Sequence, residues 1–439
     1  MNRRDFLSLS VGTGAATILA ACGSSGPSGG GTSGGEGAAT YWSLSGLPGE
    51  PIRRAAIDRF NNANPDTRIE ATFFQNDAYK QKIKTALGAG EGPSMIWSWG
   101  GGGLKSYVEA GQVQDLTEWF DQNTAVADKI FPSSFGAATV NGKIYAMPVE
   151  SVTPIVLFYN KRVFEQVGVL PPQTYGDILD LIPAFNAKGI APFSLGGQSR
   201  WTNMMWLELL LDRTAGSEVF DRVFAGEANA WSDPGVLDML TKIQDLVKGN
   251  AFVKGFSSVT ADSNADQALL YTGKAAMMLH GSWSYGIQKA DGGDIVSSGA
   301  LGYMNFPPVD GGKGDPSNTV GNPGQYLSIS TKSTTAQQDI AKKFFSTTLI
   351  DDEEVKGWIT SGNVPIIKGS DAQIASSPDA DFLKVVYDMS SNAKIFAQSW
   401  DQALSPTAAE TLLDNIAKLF QLQINPQQWV DAMNGVIGK

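Results

Sequence analysis

A chain of 439 residues, at roughly 100–200 residues per domain, has room for two to four domains with ample core, which excludes a small scaffold stapled by disulfides or metal. Lys and Arg number 33 against 44 Asp and Glu, giving −11, and since Arg3, Arg4 and Asp5 put +1 on the first 21 residues the remainder carries −12. That sign repels phosphate backbones and argues against nucleic acid as a partner. One histidine, His280, and one cysteine, Cys22, exclude a His-rich metal site and an intrachain disulfide and tie any Ser-His-Asp scheme to one residue.

The N-terminus reads Met1-Asn2-Arg3-Arg4-Asp5-Phe6-Leu7 and continues without charge to Ala21, the positive n-region and short apolar stretch of an export signal. Phe6 to Ala21 is shorter than the ~20 residues that span a bilayer as a helix. Arg-Arg-x-Phe-Leu resembles a twin-arginine signal, read by a machinery that exports folded cargo. Leu19-Ala20-Ala21-Cys22 resembles a lipobox, where small residues admit a peptidase and a diacylglyceryl thioether forms on the sulfur. A free thiol in a leader is the alternative, and it leaves four features in register unexplained. The expectation is a signal peptide over 1–21 and a lipidated Cys22. Residues 23–37, GSSGPSGGGTSGGEG, hold eight glycines in fifteen positions. With Cys22 they form a tether over 22–37 that buries nothing and reaches about 20 Å. Such a protein sits at the outer face of the cell membrane, extracellular and held by lipid alone. The arrangement suits a protein that passes material to a membrane partner, and equally a secreted enzyme kept near the cell.

From residue 38 onward short apolar strands alternate with amphipathic helices, the pattern of an α/β protein with largely parallel sheets. Ala39–Trp42 reads as a strand, 51–62 as a helix with Pro51 at its first position, 67–74 as a strand, 77–88 as a helix stopped by glycine, and Met95–Trp97 as a strand running into a loop, Gly100–Gly103. Ligands in such folds bind beyond the carboxyl ends of the strands. The apolar runs 144–150 and 155–160 read as buried strands or as a crossover between two lobes. Residues 275–279 and 326–330 are further strands. The tail is helical over 334–348, 352–360, 381–389, 406–422 and 426–437.

Several pieces now carry a resemblance: Tyr41-Trp42-Ser43 after the lipobox, Phe60-Asn61-Asn62-Ala63-Asn64-Pro65, Gly92-Pro93-Ser94-Met95-Ile96-Trp97, Asn141-Gly142-Lys143-Ile144-Tyr145-Ala146-Met147-Pro148, Leu157-Phe158-Tyr159-Asn160-Lys161, and Gly273-Lys274-Ala275-Ala276-Met277-Met278-Leu279-His280-Gly281-Ser282-Trp283. In this order, across nearly the whole mature chain, the sequence resembles the extracellular solute-binding proteins of sugar ABC importers, the cluster that includes maltose- and oligosaccharide-binding proteins. The resemblance implies a two-lobed α/β periplasmic-binding-protein fold of the type II kind, joined by crossing strands, with a sugar in the cleft. It divides the body into lobe one over 38–150 and 306–361 and lobe two over 151–305 and 362–439. It also implies a monomer that delivers an oligosaccharide ligand to ABC permease transmembrane subunits, with no cofactor and no metal. The general cast is similar to actinobacterial receptors for xylobiose and xylo-oligosaccharides; chitobiose, cellobiose and maltose remain open.

A sugar offers hydroxyls at its rim and C–H faces above and below, so its binder needs aromatic planes and polar edges. The 11 Trp, 11 Tyr and 21 Phe are a large supply of the former. Trp283 follows a buried strand through Gly281-Ser282, and the resemblance implies that a tryptophan there stacks on the ring; a core residue capping the strand is the other reading. Trp400-Asp401 precedes a helix start, where the family places an aromatic; Trp400 packed between helices and Asp401 as a helix cap stay open. Gln198, Arg200 and Trp201 form a polar loop opening an apolar helix, with a hydrophobic staple as the alternative for Trp201. Trp99, Gly100 and Gly101 lie at a strand end where backbone N–H groups can approach a ligand, and four glycines without Lys-Ser/Thr are no phosphate loop. Asn322, Gly324 and Gln325 resemble the cleft segment of the first lobe, or form a tight turn. Ser45 and Glu50 in the first loop and Glu150 at the crossover complete the set. Trp206 and Trp42, Trp119, Trp231, Trp358 and Trp429 read as packing. A receptor, not an enzyme, is the first reading. An anchored glycoside hydrolase, which needs two carboxylates and no histidine, is the second.

Overall fold

The computed structural model describes residues 37–439. The paired arginines, the lipobox with Cys22, and the tether up to residue 36 lie outside the described residues. Ala39–Leu44 alternates buried and half-buried side chains, the two-residue period of a strand with one face on a core. Helix Gly49–Ala63 buries Ile52, Ala56, Ile57 and Phe60 on one face. It begins two residues before Pro51, which is therefore its third residue and not its first. Strand Ile69–Phe74, helix Asn76–Ala89 and strand Met95–Ser98 follow. Gly90, with φ +76°, closes the second helix in the left-handed conformation that glycine adopts without penalty.

Two sheets result. The first has the order Ile69–Phe74, Ala39–Leu44, Met95–Ser98, Gln325–Ile329, Met147–Val149. Its first three strands run parallel, and Gln325–Ile329 is antiparallel to both its neighbours. The second sheet is organised on Ser151–Asn160, whose ten residues pair with Ala275–Gly281, Leu301–Met304, Thr319–Asn322 and Val364–Pro365, all antiparallel. Both sheets are thus mixed, where the alternation of strand and helix predicts largely parallel ones. The cause is the return of the chain: each lobe receives strands from a segment that has already visited the other.

The apolar run of Ser151–Asn160 has two-sided burial as its reason. Val156 and Phe158 face one core, with Met278 and Phe382, and Ile155 and Leu157 face another, with Met277 and Leu279. Helices Trp201–Ala215, Pro234–Lys248 and Pro406–Phe420 cover that second face. The chain passes between sheets at Glu150, again between Asn322 and Gln325, and a third time before Val364–Pro365. Thr319–Asn322 belongs to the second sheet, so the return to the first lobe falls at about residue 323 and not at 306. Gly101–Gly103 also differ from expectation, forming the first turn of helix Gly101–Glu109 and not a loop.

Candidate functional site

Between the sheets, beside the first two crossings, lies a cavity of about 410 Å³. Its first-lobe wall is the loop from Ser45 to Gly49 with Arg53, Lys80, Trp97 and Trp99; its second-lobe wall is Trp201, Asp262, Asn264, His280 and Trp283. Glu150, Asn322 and Gln325 close the base where the chain crosses.

Glu150 anchors that base. It has φ +69°, an uncommon conformation for a residue with a side chain, and its carboxylate meets Arg53 in a two-pronged ion pair, Nε to Oε1 and Nη2 to Oε2, each 2.7 Å. Trp97 Nε1 donates to the same Oε1 at 2.7 Å. Burial opposes the charge on Arg53, but the Glu150 carboxylate outweighs it and holds the guanidinium above its ordinary range. Arg53 also lies over the Trp97 ring at 5.3 Å. The pair is internally neutral and rigid.

On the opposite wall the only histidine separates two tryptophans. Trp201 and Trp283 each meet His280 edge to face at 5.3 Å, and their own rings are 6.1 Å apart at 47°. His280 Nδ1 is 2.6 Å from Ser284 Oγ, and Nε2 is 3.4 Å from Asp266 Oδ2. Gly281 makes room for this arrangement: a Cβ there would fall 1.9 Å from the Trp283 ring. Both tryptophans are half-buried. Trp201 Nε1, His280 Nε2 and Asn322 Oδ1 are buried without a hydrogen-bond partner among the described residues. Three residues that line one cavity thus carry an indole donor, an imidazole nitrogen and an amide oxygen without a protein hydrogen bond.

The lobes touch across the mouth. Lys80 Nζ meets Asp401 Oδ2 at 3.0 Å, the Asp77 N–H donates to Asp262 Oδ2 at 3.2 Å, and Gln398 Nε2 donates to the Trp99 carbonyl at 2.8 Å. Burial, and after it the neighbouring Asp77, raises the Asp262 carboxyl above its ordinary range. Among the described residues no cluster of three or more His, Cys, Asp or Glu is placed to hold a metal.

Of the residues singled out from sequence, Ser45, Trp99, Glu150, Trp201, Trp283, Asn322, Gln325 and Asp401 line this cavity. The others do not. Trp400 is 2% exposed and stacks on Phe220 at 4.7 Å and 10°, with Trp231 on its flank, so it is a core residue. Glu50 accepts from the Gly46 N–H and from Arg54, tying its own loop. Arg200 pairs with Glu410 and Asp414, and Gln198 is exposed outside the cavity. A side chain at Gly100 would strike the Ala137 carbonyl and at Gly101 the Gln402 carbonyl; both glycines serve close packing. Gly324 lies beside Tyr326 and Ile366, off the cavity. Trp358, read as packing, is buried yet presents part of its surface to the cavity.

Arg53, Lys80, Trp97, Asp262, Asn264 and His280 are cavity residues that the sequence reading passed over. The Trp97-x-Trp99 spacing carried a signal, since a strand puts both on one face, and their rings meet at 4.6 Å. Arg53 carried none, because its partner Glu150 is remote in sequence.

Two lobes around a cleft with aromatic and polar walls define a ligand-binding protein of the periplasmic-binding type. The family of bacterial extracellular solute-binding proteins matches residues 45–361, and the chain belongs to it. A solved structure from work on xylan utilization by the thermophilic bacterium Caldanaerobius polysaccharolyticus is similar with a TM-score of 0.82 and 30% identity, covering 91% of this chain and 100% of that one. A chitin oligosaccharide binding protein is similar in fold, with a TM-score of 0.81 at 24% identity over 91% of this chain and 97% of that one. A maltotriose-binding protein of Pyrococcus abyssi is 23% identical over 241 residues, 55% of this chain and 48% of that one. The chain spans about half the length of the curated relatives it matches. Among the described residues no helix is long and apolar enough to cross a membrane.

Proposed function

We propose that the protein captures a short neutral oligosaccharide in this cleft and delivers it to the transmembrane subunits of an ABC importer, with xylobiose and xylo-oligosaccharides as the first ligands to test. The observation that carries the reading is the second-lobe wall, where Trp201 and Trp283 flank His280, in a cavity whose lining residues Trp201 and Asn322 keep an indole donor and an amide oxygen unpartnered. Ring planes with a donor and an acceptor beside them match the faces and rim of a pyranose. Two ion pairs are already formed at the cleft, Arg53 with Glu150 and Lys80 with Asp401, and Asp262 accepts the Asp77 N–H. A neutral ligand breaks neither pair. Xylan-derived ligands gain support from the 30%-identical structure from work on xylan utilization, and chitin- and malto-oligosaccharides are the competitors named by other relatives.

The hydrolase reading is weakened by the first of these pairs, since Glu150 is held as an acceptor by the buried Arg53 and by Trp97 Nε1. Lipid attachment at Cys22 would keep the protein, a monomer, at the outer face of the membrane within reach of the permease. Calorimetric titration with xylobiose, diacetylchitobiose, cellobiose and maltose, followed by chromatography of the recovered sugar, tests the reading. Binding with unchanged sugar supports it. Product release at a steady rate replaces it with an enzyme.

A further inference from the structure

Gly101 and Gly102 open helix Gly101–Glu109 of the first lobe and line no part of the sugar cavity. What they meet belongs to the second lobe. A Cβ on Gly101 would stand 2.6 Å from the Gln402 carbonyl oxygen, and one on Gly102 would stand 2.6 Å from the Ala403 carbonyl oxygen and nearer still to that of Leu404. No side chain fits at those distances, so the two backbones touch only because both residues are glycine.

Each side of this seam is fixed in its own lobe. Leu104 of the helix is fully buried in the first core, and a Cβ on the preceding Gly100 would strike the Ala137 carbonyl and the Tyr326 ring of the same lobe. Opposite, Phe396–Gln398 is a strand of the second sheet, paired with Thr319–Asn322. Trp400 and Leu404 are buried in the second core, and Glu208 accepts the Trp400 N–H. The Ala403 and Leu404 N–H groups donate to the Ser399 and Trp400 carbonyls at 2.9 and 3.0 Å. The carbonyls that face Gly102 therefore belong to a tied backbone and cannot swing aside as the end of a long side chain would. The same segment supplies Gln398 to the Trp99 carbonyl and Asp401 to Lys80 across the seam, and its Ser399, Asp401 and Gln402 line the sugar cavity.

Resting on the sugar reading above, we propose that Gly102 is a positioning residue, the bare seat on which segment 398–404 lands when the lobes close. This contact of backbone with backbone, remote from the sugar, sets how near Ser399, Asp401 and Gln402 come to the ligand. A methyl group on the seat holds the lobes apart. It costs the open form nothing, since alanine is the better helix former, but it lowers the closed fraction, and apparent affinity falls by the same factor.

The test sets full-length Gly102→Ala beside wild type and beside Gly103→Ala, a neighbour on the same helix whose Cβ would have nothing within 4 Å. Calorimetric titration with xylobiose, diacetylchitobiose, cellobiose and maltose reads affinity, and thermal melting without sugar reads the fold. Pulsed electron resonance, with and without sugar, reads the seam itself. Its spin labels sit at Lys84→Cys and Lys418→Cys, exposed positions on helices Asn76–Ala89 and Pro406–Phe420 of the two lobes, in Cys22→Ala chains that carry no other thiol. Gly102→Ala should lose the shortest interlobe distance present in wild type and bind the accepted sugar about tenfold or more weakly, with no fall in melting temperature. Gly103→Ala should match wild type in all three. If Gly102→Ala does not fold, Gln398→Ala, which removes a seam bond and adds no bulk, takes its place with an expected loss of about fivefold in affinity, and unchanged affinity there counts against the seat. Identical distance distributions in wild type and Gly102→Ala, or a lower melting temperature with unchanged affinity in the folded fraction, overturn the seat and make the contact permanent packing. A wild type that binds none of these sugars contradicts the sugar reading, while the interlobe distances still decide the seat.

Discussion

Trp400 and Trp283 both stand beside polar residues at the start of a helix, and their surroundings divide them. Trp400 meets Phe220 face to face and is sealed by Trp231, whereas Trp283 is left half-buried against His280 and the cavity. Trp400→Ala should therefore cost about 3–5 kcal/mol of stability through the void it leaves. Denaturant titration should show the loss, with ligand affinity of the folded fraction retained; wild-type stability in the variant would place Trp400 outside the core. Next to it, Glu208 accepts the Trp400 N–H at 2.7 Å and is fully buried. Burial pushes its carboxyl up to about 8 from 4.5, so the folded protein holds a proton that the unfolded chain releases. Between those two values the unfolded state binds fewer protons, and stability falls as pH rises. Glu208→Gln removes that contribution, and its advantage over wild type should grow from pH 5 to pH 8 in denaturant titrations. Parallel pH dependence in the two proteins would mean that Glu208 is ionised when folded.

The strand Ala275–Gly281 and the turn after it carry the ligand wall, and the wall depends on a missing side chain. Gly281→Ala drives a methyl into the Trp283 ring. The ring must leave its place beside His280, and ligand affinity should fall by about 1–3 kcal/mol, the scale of an overpacked contact. Titration of the variant reads this directly, and unchanged affinity would show that the Trp283 ring position does not matter to the ligand. At this scale the sequence was legible wherever burial is periodic. The strand and helix alternation over Ala39–Ser98 and the helix Asp352–Thr360 follow from spacing alone. The mixed sheets were not legible, because antiparallel return strands such as Gln325–Ile329 look the same as parallel ones when both faces are buried. The same limit applies to the site. Trp201 and Trp283 were marked by polar turns and small neighbours, while Arg53 and Lys80 carry no local mark, because their partners Glu150 and Asp401 are remote in sequence. Trp400 was misread because Phe220, which covers it, has no local trace near residue 400.

At the scale of the molecule, three chain crossings join two sheets, and contacts from Lys80, Asp77 and Trp99 to Asp401, Asp262 and Gln398 span the mouth of the cleft. Such a molecule can open at the crossings and close on a ligand, with the contacts at the mouth remade each time. The proposed lipid attachment rests on Cys22. Cys22→Ala should move the protein from the membrane fraction to the medium, because each anchored CH₂ withdrawn from lipid removes ~0.8 kcal/mol; full membrane retention would contradict the lipid anchor. The central claim is that the Trp201–His280–Trp283 wall holds a sugar, and titration and thermal melting of wild type beside Trp283→Ala test it most directly. Across xylobiose, diacetylchitobiose, cellobiose and maltose, the wild type should bind at least one with a change in tryptophan fluorescence. Trp283→Ala should lose about 2 kcal/mol or more of that affinity at an unchanged melting temperature. A large fall in melting temperature with near-normal affinity in the folded fraction would contradict the account and return Trp283 to the core.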